Sequence, residues 1–207
     1  MTLRLNGSTS GYTEIDAPAT AGNNNLKLPT GNGSDGNILG TDGAGNLSWV
    51  NGRMVLETAK ASTSGTSVDF TGIPSWVKKI TVMFSGVSTS GTSGIQIQIG
   101  SGSIVATGYS SILGNVSGSS AGASTYTSGF ICGENMSAAT TSKGSVIIAT
   151  IGSNTWVSQG IFYSRADTIA MSTGDKTLSG TLDRLRITTG NGTDTFDAGS
   201  INILYEG

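Results

Sequence analysis

The stretch GIQIQIG, residues Gly94–Gly100, decides the fold class of this chain, because three isoleucines alternate strictly with two glutamines. Alternation with a period of two is typical of an antiparallel β-strand that has one buried face and one face in water. We therefore predict that the isoleucines face a core and that Gln96 and Gln98 face solvent.

The same alternation recurs on both sides of this strand. It is present in KKITVMF (Lys78–Phe84), DRLRIT (Asp183–Thr188) and SINILYE (Ser200–Glu206). Two further stretches are continuously apolar, as central sandwich strands are: SVIIATI (Ser145–Ile151) and GIFYS (Gly160–Ser164). Turn-forming clusters separate the strands; they are STSGTSG (88–94), GSNT (152–155), STGDKT (172–177), TGNGTD (189–194) and a longer predicted loop, GSSAGAST (118–125).

This pattern predicts an all-β fold. We find no window with helical periodicity and caps, and about eight short strands follow one another at intervals of roughly 8–12 residues. The predicted architecture is an extended, Gly/Asn-rich N-terminal arm over residues 1–52, followed by an antiparallel, jelly-roll-like β-sandwich head domain over residues 53–207.

The arm carries only short apolar segments between Gly and Asn runs, none long enough to bury a core. We therefore predict that it docks onto another copy, a different protein or the sandwich itself. The predicted partner-binding residues are its large apolar side chains: Leu3, Leu5, Tyr12, Ile15, Leu26, Leu28, Ile38, Leu39, Leu47 and Trp49.

Composition excludes several classes of function. The net charge is −2 and only 12% of residues are charged, so no basic surface for nucleic acid is present. The chain has no histidine and a single cysteine, Cys132, which removes the usual catalytic base, an internal disulfide and a thiolate zinc site. No segment has the pattern of a signal peptide or a membrane span, so we expect synthesis in the cytoplasm and no membrane partner. No cofactor is predicted.

One motif points towards nucleotide binding. Gly31, Gly33 and Gly36 form a G-x-G-x-x-G, but a dinucleotide loop must open a helix whose N-terminus holds the pyrophosphate. The following NILGTDGAGN (37–46) cannot begin a helix. We interpret the glycines as structural, allowing the chain to turn sharply and lie close to other backbones.

Other chemical sites are weaker. TGNGSDGNI (30–38) and TGNGTDTFD (189–197) partly match the repeat of calcium-binding β-helices, but such sites need tandem copies, so Gly/Asn turns are favoured. Cys132 follows an apolar pair and is interpreted as a small buried residue, and a Ser-His-Asp triad is impossible without histidine. No enzymatic activity is predicted. Sugar binding by loops of the sandwich stays open.

The stretch LPTGNGSDGNILGTDGAGNLSW (28–49), within the first 50 residues, resembles the N-terminal region of virion surface proteins of tailed bacteriophages, cyanophages included. The second half, from SVDFTGIPSW to INILYEG, is similar to the C-terminal β-sandwich of phage fibre and decoration proteins. The resemblance implies a non-enzymatic homotrimer on the virion surface, made in the host cytoplasm, in which the arm serves for attachment and trimerisation.

Two functions fit this resemblance. The first is a capsid decoration, or cement, protein whose arms bind the major capsid protein of the shell while the sandwich projects outward. The second is a tail or head fibre protein whose sandwich binds a host-surface glycan. The short chain favours the first, because a fibre that reaches a receptor needs a long shaft. A free-standing carbohydrate-binding module fits less well.

Overall fold

A computed structural model describes residues 3–20, 22–34, 36–50, 54–118, 120–134, 136, 138–165 and 168–207. The chain divides into two compact units, Met1–Gly52 and Arg53–Gly207, called unit 1 and unit 2 below. Unit 1 contains four short strands: β1 (Leu3–Asn6), β2 (Tyr12–Ile15), β3 (Ile38–Thr41) and β4 (Leu47–Val50).

Unit 2 contains the remaining strands, and no helix occurs within the described ranges. The strands are β5 (Met54–Leu56), β6 (Lys60–Ala61), β7 (Ser67–Thr71), β8 (Lys79–Thr89), β9 (Ile95–Ser101), β10 (Ser103–Ile104), β11 (Ser110–Ser117), β12 (Ser120–Tyr126), β13 (Phe130–Gly133), β14 (Ser142–Gly152), β15 (Thr155–Arg165), β16 (Thr168–Thr177), β17 (Arg184–Thr189) and β18 (Phe196–Glu206).

These strands form two antiparallel sheets that pack together, so the predicted β-sandwich is confirmed. The smaller sheet has the order β10-β9-β17-β7, with β13 also paired to β9. The larger sheet has the order β12-β11-β16-β15-β14-β8-β18-β5, with β6 also paired to β18. Strand β13 of the smaller sheet contacts β11, β15 and β16 of the larger one, which brings the two inner faces together.

The hydrophobic core lies between these inner faces and consists entirely of residues of unit 2. The alternating strands contribute as predicted, since the isoleucines of β9 and Ile201 and Ile203 of β18 are fully buried. Aromatic rings fill the centre. Phe84 and Phe162 meet edge to face at 5.1 Å, and Tyr109 and Phe130 do so at 5.0 Å.

Two segments that the sequence predicts to be a loop or a turn are strands, and those predictions are wrong. The supposed loop 118–125 lies largely in β12, and STGDKT (172–177) is the second half of β16. Strand β12 and the second half of β16 are short of apolar residues and are held by backbone pairing: β12 pairs along β11 from Ser111↔Tyr126 to Ser117↔Ser120. Side-chain periodicity cannot reveal a strand whose stabilisation comes from its ladder of hydrogen bonds.

The structure does not show a continuous extended arm in unit 1. Its residues form two antiparallel hairpins, β1–β2 and β3–β4, because the intervening residues make turns. The Gly7 amide donates to the Gly11 carbonyl at 2.9 Å, and Asp42 organises the second turn. Among the described residues of unit 1, no side chain is buried.

Candidate functional site

The first hairpin presents an apolar surface on one of its two faces. Register pairs Leu3 with Ile15 and Leu5 with Thr13, so these side chains lie on the same face. The exposed fractions of Leu3, Leu5 and Ile15 are 58%, 55% and 63%. We call Leu3, Leu5 and Ile15 the hairpin face. Three adjacent aliphatic side chains that are exposed to solvent are expected on a surface that binds a partner.

Tyr12 does not belong to the hairpin face, although the sequence grouped it with these residues. It pairs with Asn6 on the opposite side, where the Arg4 guanidinium lies 4.0 Å from the centre of its ring. Arg4 Nε also donates to Glu14 Oε1 at 2.6 Å. This side of the hairpin is therefore polar and internally paired.

The second hairpin divides its predicted residues in the same way. Leu39 is opposite Trp49 and Thr41 is opposite Leu47, so these four residues share one face. Ile38 is opposite Val50 on the other face. Leu47 is half-buried, whereas Ile38, Leu39 and Trp49 are exposed. The predicted contacts of this hairpin therefore form two separate surfaces.

Leu26 and Leu28 precede this hairpin and are the most exposed of the predicted residues, at 67% and 72%. The residue between them, Lys27, is held by its backbone. Its amide donates to the Gly45 carbonyl at 2.9 Å, and its carbonyl accepts from the Leu47 amide at 2.9 Å. Leu26 and Leu28 therefore flank a residue whose backbone is hydrogen-bonded to the second hairpin, and their own side chains are exposed.

The glycine motif forms the backbone surface on which the Trp49 indole ring lies, and we call this surface the Trp49 seat. Its three glycines all have positive φ, from 69° to 83°. The Trp49 indole donates from Nε1 to the Gly31 carbonyl at 3.0 Å. A Cβ on Gly33 would lie 2.7 Å from the indole ring, so only glycine lets the ring lie against the backbone there. The structural interpretation of the motif is confirmed, and Gly36 leads into β3 rather than into a helix.

We predict that Gly33→Ala displaces Trp49 from this seat. The new methyl group would overlap the indole ring, and φ at this position is unfavourable for alanine. Hydrogen exchange of the β4 amides, followed by mass spectrometry, should become at least about tenfold faster. Gly31→Ala is the matched control, because φ is +83° there but no atom lies within 4 Å of the added Cβ. Equal exchange in the two variants would contradict the seat.

The turn of the second hairpin is stabilised by Asp42. Its carboxylate accepts from the Ala44 amide at 2.8 Å, the Asn46 amide at 3.1 Å and the Asn46 side chain at 2.6 Å. These hydrogen bonds, the Asn46 side chain first, hold the pKa of Asp42 below its usual value. The Asp42 carboxylate therefore accepts its hydrogen bonds from residues of the same turn.

The second calcium-like segment contains a turn, whereas Asp35, the acidic residue of the first, lies outside the described residues. Asn191 Oδ1 accepts from the Thr193 amide at 3.0 Å and the Asp194 amide at 3.1 Å. Asp194 Oδ2 accepts from the Ser93 amide at 3.0 Å, and Asp194 Oδ1 accepts from the Asn191 side chain at 2.8 Å. This agrees with the favoured Gly/Asn turn. Across the described ranges, no three His, Cys, Asp or Glu side chains gather as metal ligands would.

Unit 2 contains a polar groove that the sequence did not predict. Gln96 and Gln98 are on the outer face of the smaller sheet, as expected, but they are only 2% and 7% exposed. The prediction that they face solvent is wrong because Ser128 covers them. Its carbonyl accepts from Gln98 Nε2 at 2.9 Å, and its hydroxyl donates to Gln96 Oε1 at 2.8 Å.

This groove, which we call the glutamine groove, has a volume of about 320 Å³. Besides the two glutamines, it is lined by Arg186, Thr188 and Asn191. Arg186 donates to both carboxylate oxygens of Asp69 at 2.7 Å. That pairing lowers the pKa of Asp69 and balances the guanidinium charge. The groove is therefore lined by polar groups with almost no net charge, and its two glutamine amides are nearly buried.

A third polar cluster surrounds Glu134, near the end of β13. Its carboxylate accepts from Asn115 Nδ2 at 2.6 Å and from the Tyr126 hydroxyl. Burial and the neighbouring carboxylate raise the pKa of Tyr126 to about 12. Glu134 thus links β11 and β12 to the smaller sheet, which is a structural role. Cys132 is fully buried, as predicted, and burial raises the pKa of its thiol.

Comparison with family models, curated proteins and solved structures found no significant match. No helix among the described residues has the length and apolar character of a membrane span.

Proposed function

We propose that this chain is a non-enzymatic structural protein of a phage virion, a homotrimeric capsid decoration protein in which unit 1 binds the shell and the sandwich projects outward. The observation that carries the proposal is the exposure of unit 1: nine of its ten predicted contact residues are exposed and the tenth, Leu47, is half-buried. Apolar side chains held on ordered hairpins gain free energy only when a partner covers them, at about 25 cal/mol per Å².

The division of labour between the units supports this proposal. Unit 2 has a complete core of its own, so it does not need unit 1 for its apolar burial. Unit 1 keeps its aliphatic groups in water and uses its polar groups for its own turns. The major capsid protein of the shell would bury these aliphatic groups. In a trimer, three copies of each hairpin would bind at once, which raises the overall affinity.

The test uses the full-length protein and capsids that lack it. The triple variant Leu3→Ser, Leu5→Ser, Ile15→Ser removes the hairpin face. We expect the amount of this variant that co-sediments with capsids to be at least about 90% lower than for the wild type. The reason is that three aliphatic side chains would no longer be buried on binding, which lowers the affinity. The matched control carries Arg4→Ser, Asn6→Ser and Glu14→Ser on the opposite face of the same hairpin.

Retention of capsid binding by the first variant would contradict the role of the hairpin face. A particle reconstruction gives an independent readout. Many copies over the shell support a decoration protein, whereas a few copies at the tail, together with blocked adsorption by the free protein, would refute it.

The glutamine groove favours a second candidate function, a fibre protein that binds a host-surface glycan. The uncharged polar groups that line it match neutral sugar hydroxyls. On a glycan array, Thr66→Val, which removes an exposed hydroxyl of the groove, should lose binding, whereas Gln159→Met, at an exposed glutamine of β15, should not. Absence of any glycan signal for the wild type would leave this candidate without support.

A further inference from the structure

The outer face of the larger sheet exposes a continuous apolar surface. On β15 and β16 the outward residues pair across the strands, Ile161 with Met171 and Tyr163 with Ile169. Ile161, Ile169 and Met171 are 63%, 53% and 51% exposed. The buried residues of these strands, such as Phe162 and Ala170, alternate with them and face the core. Both faces of the central strands are therefore apolar, but only one is covered.

The surface continues onto the neighbouring strand β11. Val116 lies opposite Ile169, and Ile112 lies four residues away on the same face, opposite Thr173; the exposed fractions of Val116 and Ile112 are 44% and 45%. We call Ile112, Val116, Ile161, Ile169 and Met171 the outer patch. A contiguous apolar surface of this kind is unusual on a protein that stays monomeric.

Among the described residues, charges lie at the two ends of this face; on β8, Lys79 lies in the same row as Asp175 and pairs with Glu206. On the outward side of β14, β15 and β16, Lys143 lies at one end beside Tyr163 and Asp175 lies at the other. Between them, the outward residues of the described chain are uncharged. A second copy of the same neutral surface can cover the outer patch without burying an unpaired charge.

The shape of this face is also compatible with the packing of a second copy against it. An open depression of about 420 Å³ is lined by Ser145, Ile147 and Gln159, and Ile161 and Met171 border it. Large side chains thus project next to a shallow hollow on the same face. Two such faces can interdigitate at the spacing of about 10 Å that is usual for packed sheets.

The size of the face is adequate for a stable contact. Five strands, β11 to β8, at about 4.8 Å spacing and roughly seven residues at about 3.3 Å give a flat footprint of about 550 Å². Two such footprints bury about 1,100 Å² in total, which is at the low end for specific interfaces between proteins.

We infer that the outer patch is an interface between copies of this chain, with the larger sheets of neighbouring copies in contact. The inference goes beyond the proposed homotrimer, because a face that packs on a copy of itself makes a two-fold contact between two copies and leaves the hairpin face for the shell. It does not depend on capsid binding, so the two are tested separately.

The experiment measures the mass of the full-length protein by sedimentation velocity over a range of concentrations. We expect the wild type to be an oligomer and the variant Ile161→Gln, Met171→Gln to dissociate, with an association constant at least about 100-fold lower. Ile151→Gln is the matched control, because Ile151 is 71% exposed at the far end of β14, outside the outer patch. A second variant, Val116→Gln, Ile169→Gln, changes a different pair of the outer patch and should dissociate in the same way.

Far-UV circular dichroism and urea unfolding confirm that each variant is folded. A monomeric wild type, or both patch variants keeping the wild-type mass, would overturn the inference. Capsid co-sedimentation of the same variants separates it from the proposed function, since the hairpin face is intact in them.

Discussion

Phe162→Ala is expected to lower the free energy of unfolding by about 3–5 kcal/mol. Phe162 is 1% exposed, and its ring meets Phe84 edge to face at 5.1 Å. Gly133 is also close, since a Cβ there would lie 2.9 Å from the ring. Truncation leaves a cavity that this tightly packed centre can fill only in part, and it also removes the aromatic pair.

Urea unfolding followed by circular dichroism measures this effect. The control is Ile151→Ala, which truncates an apolar side chain at an exposed position and should change the free energy of unfolding by no more than about 0.5 kcal/mol. A loss below about 1 kcal/mol for Phe162→Ala would mean that the two sheets do not pack tightly at this point.

Gly199→Ala is the second substitution with a large expected effect. Gly199 has φ of +90°, and an added Cβ would lie 2.4 Å from the backbone of Gly86 on the neighbouring strand β8. The register between β8 and β18 shifts between Phe196 and Ala198 and again between Ala198 and Ser200, which flank Gly199, so the backbones approach closely at an irregular pairing. Backbone strain of about 1–3 kcal/mol and overpacking of about 1–3 kcal/mol both apply, for a total loss of about 2–6 kcal/mol.

Gly152→Ala separates these two causes. Gly152 has φ of +100°, but no atom lies within 4 Å of its added Cβ, so it reports the strain alone. The same urea experiment should therefore show a smaller loss for Gly152→Ala than for Gly199→Ala. Equal losses would show that the contact with Gly86 relaxes freely.

The strands with strict alternation could be predicted from sequence because the two-residue period states which side chains share a face. Ile201 and Ile203 of β18 are buried as this rule requires. Strand β12 could not be predicted, because its side chains are small and mostly exposed and its position depends on pairing with β11.

Part of the candidate site was also predictable. The exposed apolar residues of unit 1 follow from the absence of any segment that could bury them. Their separation into faces, with Tyr12 opposite Leu3 and Leu5, follows from a hairpin register that the sequence pattern alone did not specify. The roles of the two units on a virion remain predictions.

The sequence by itself determined the all-β class, the inward faces of the regular strands and the structural character of the glycine motif. Only the tertiary structure decided what covers each outward face. Ser128, some 30 residues further along the chain, buries Gln96 and Gln98, whereas no described residue of unit 2 covers Ile161 and Met171. The reason is physical: alternation is a local property of one strand, but burial depends on segments brought together from distant parts of the chain.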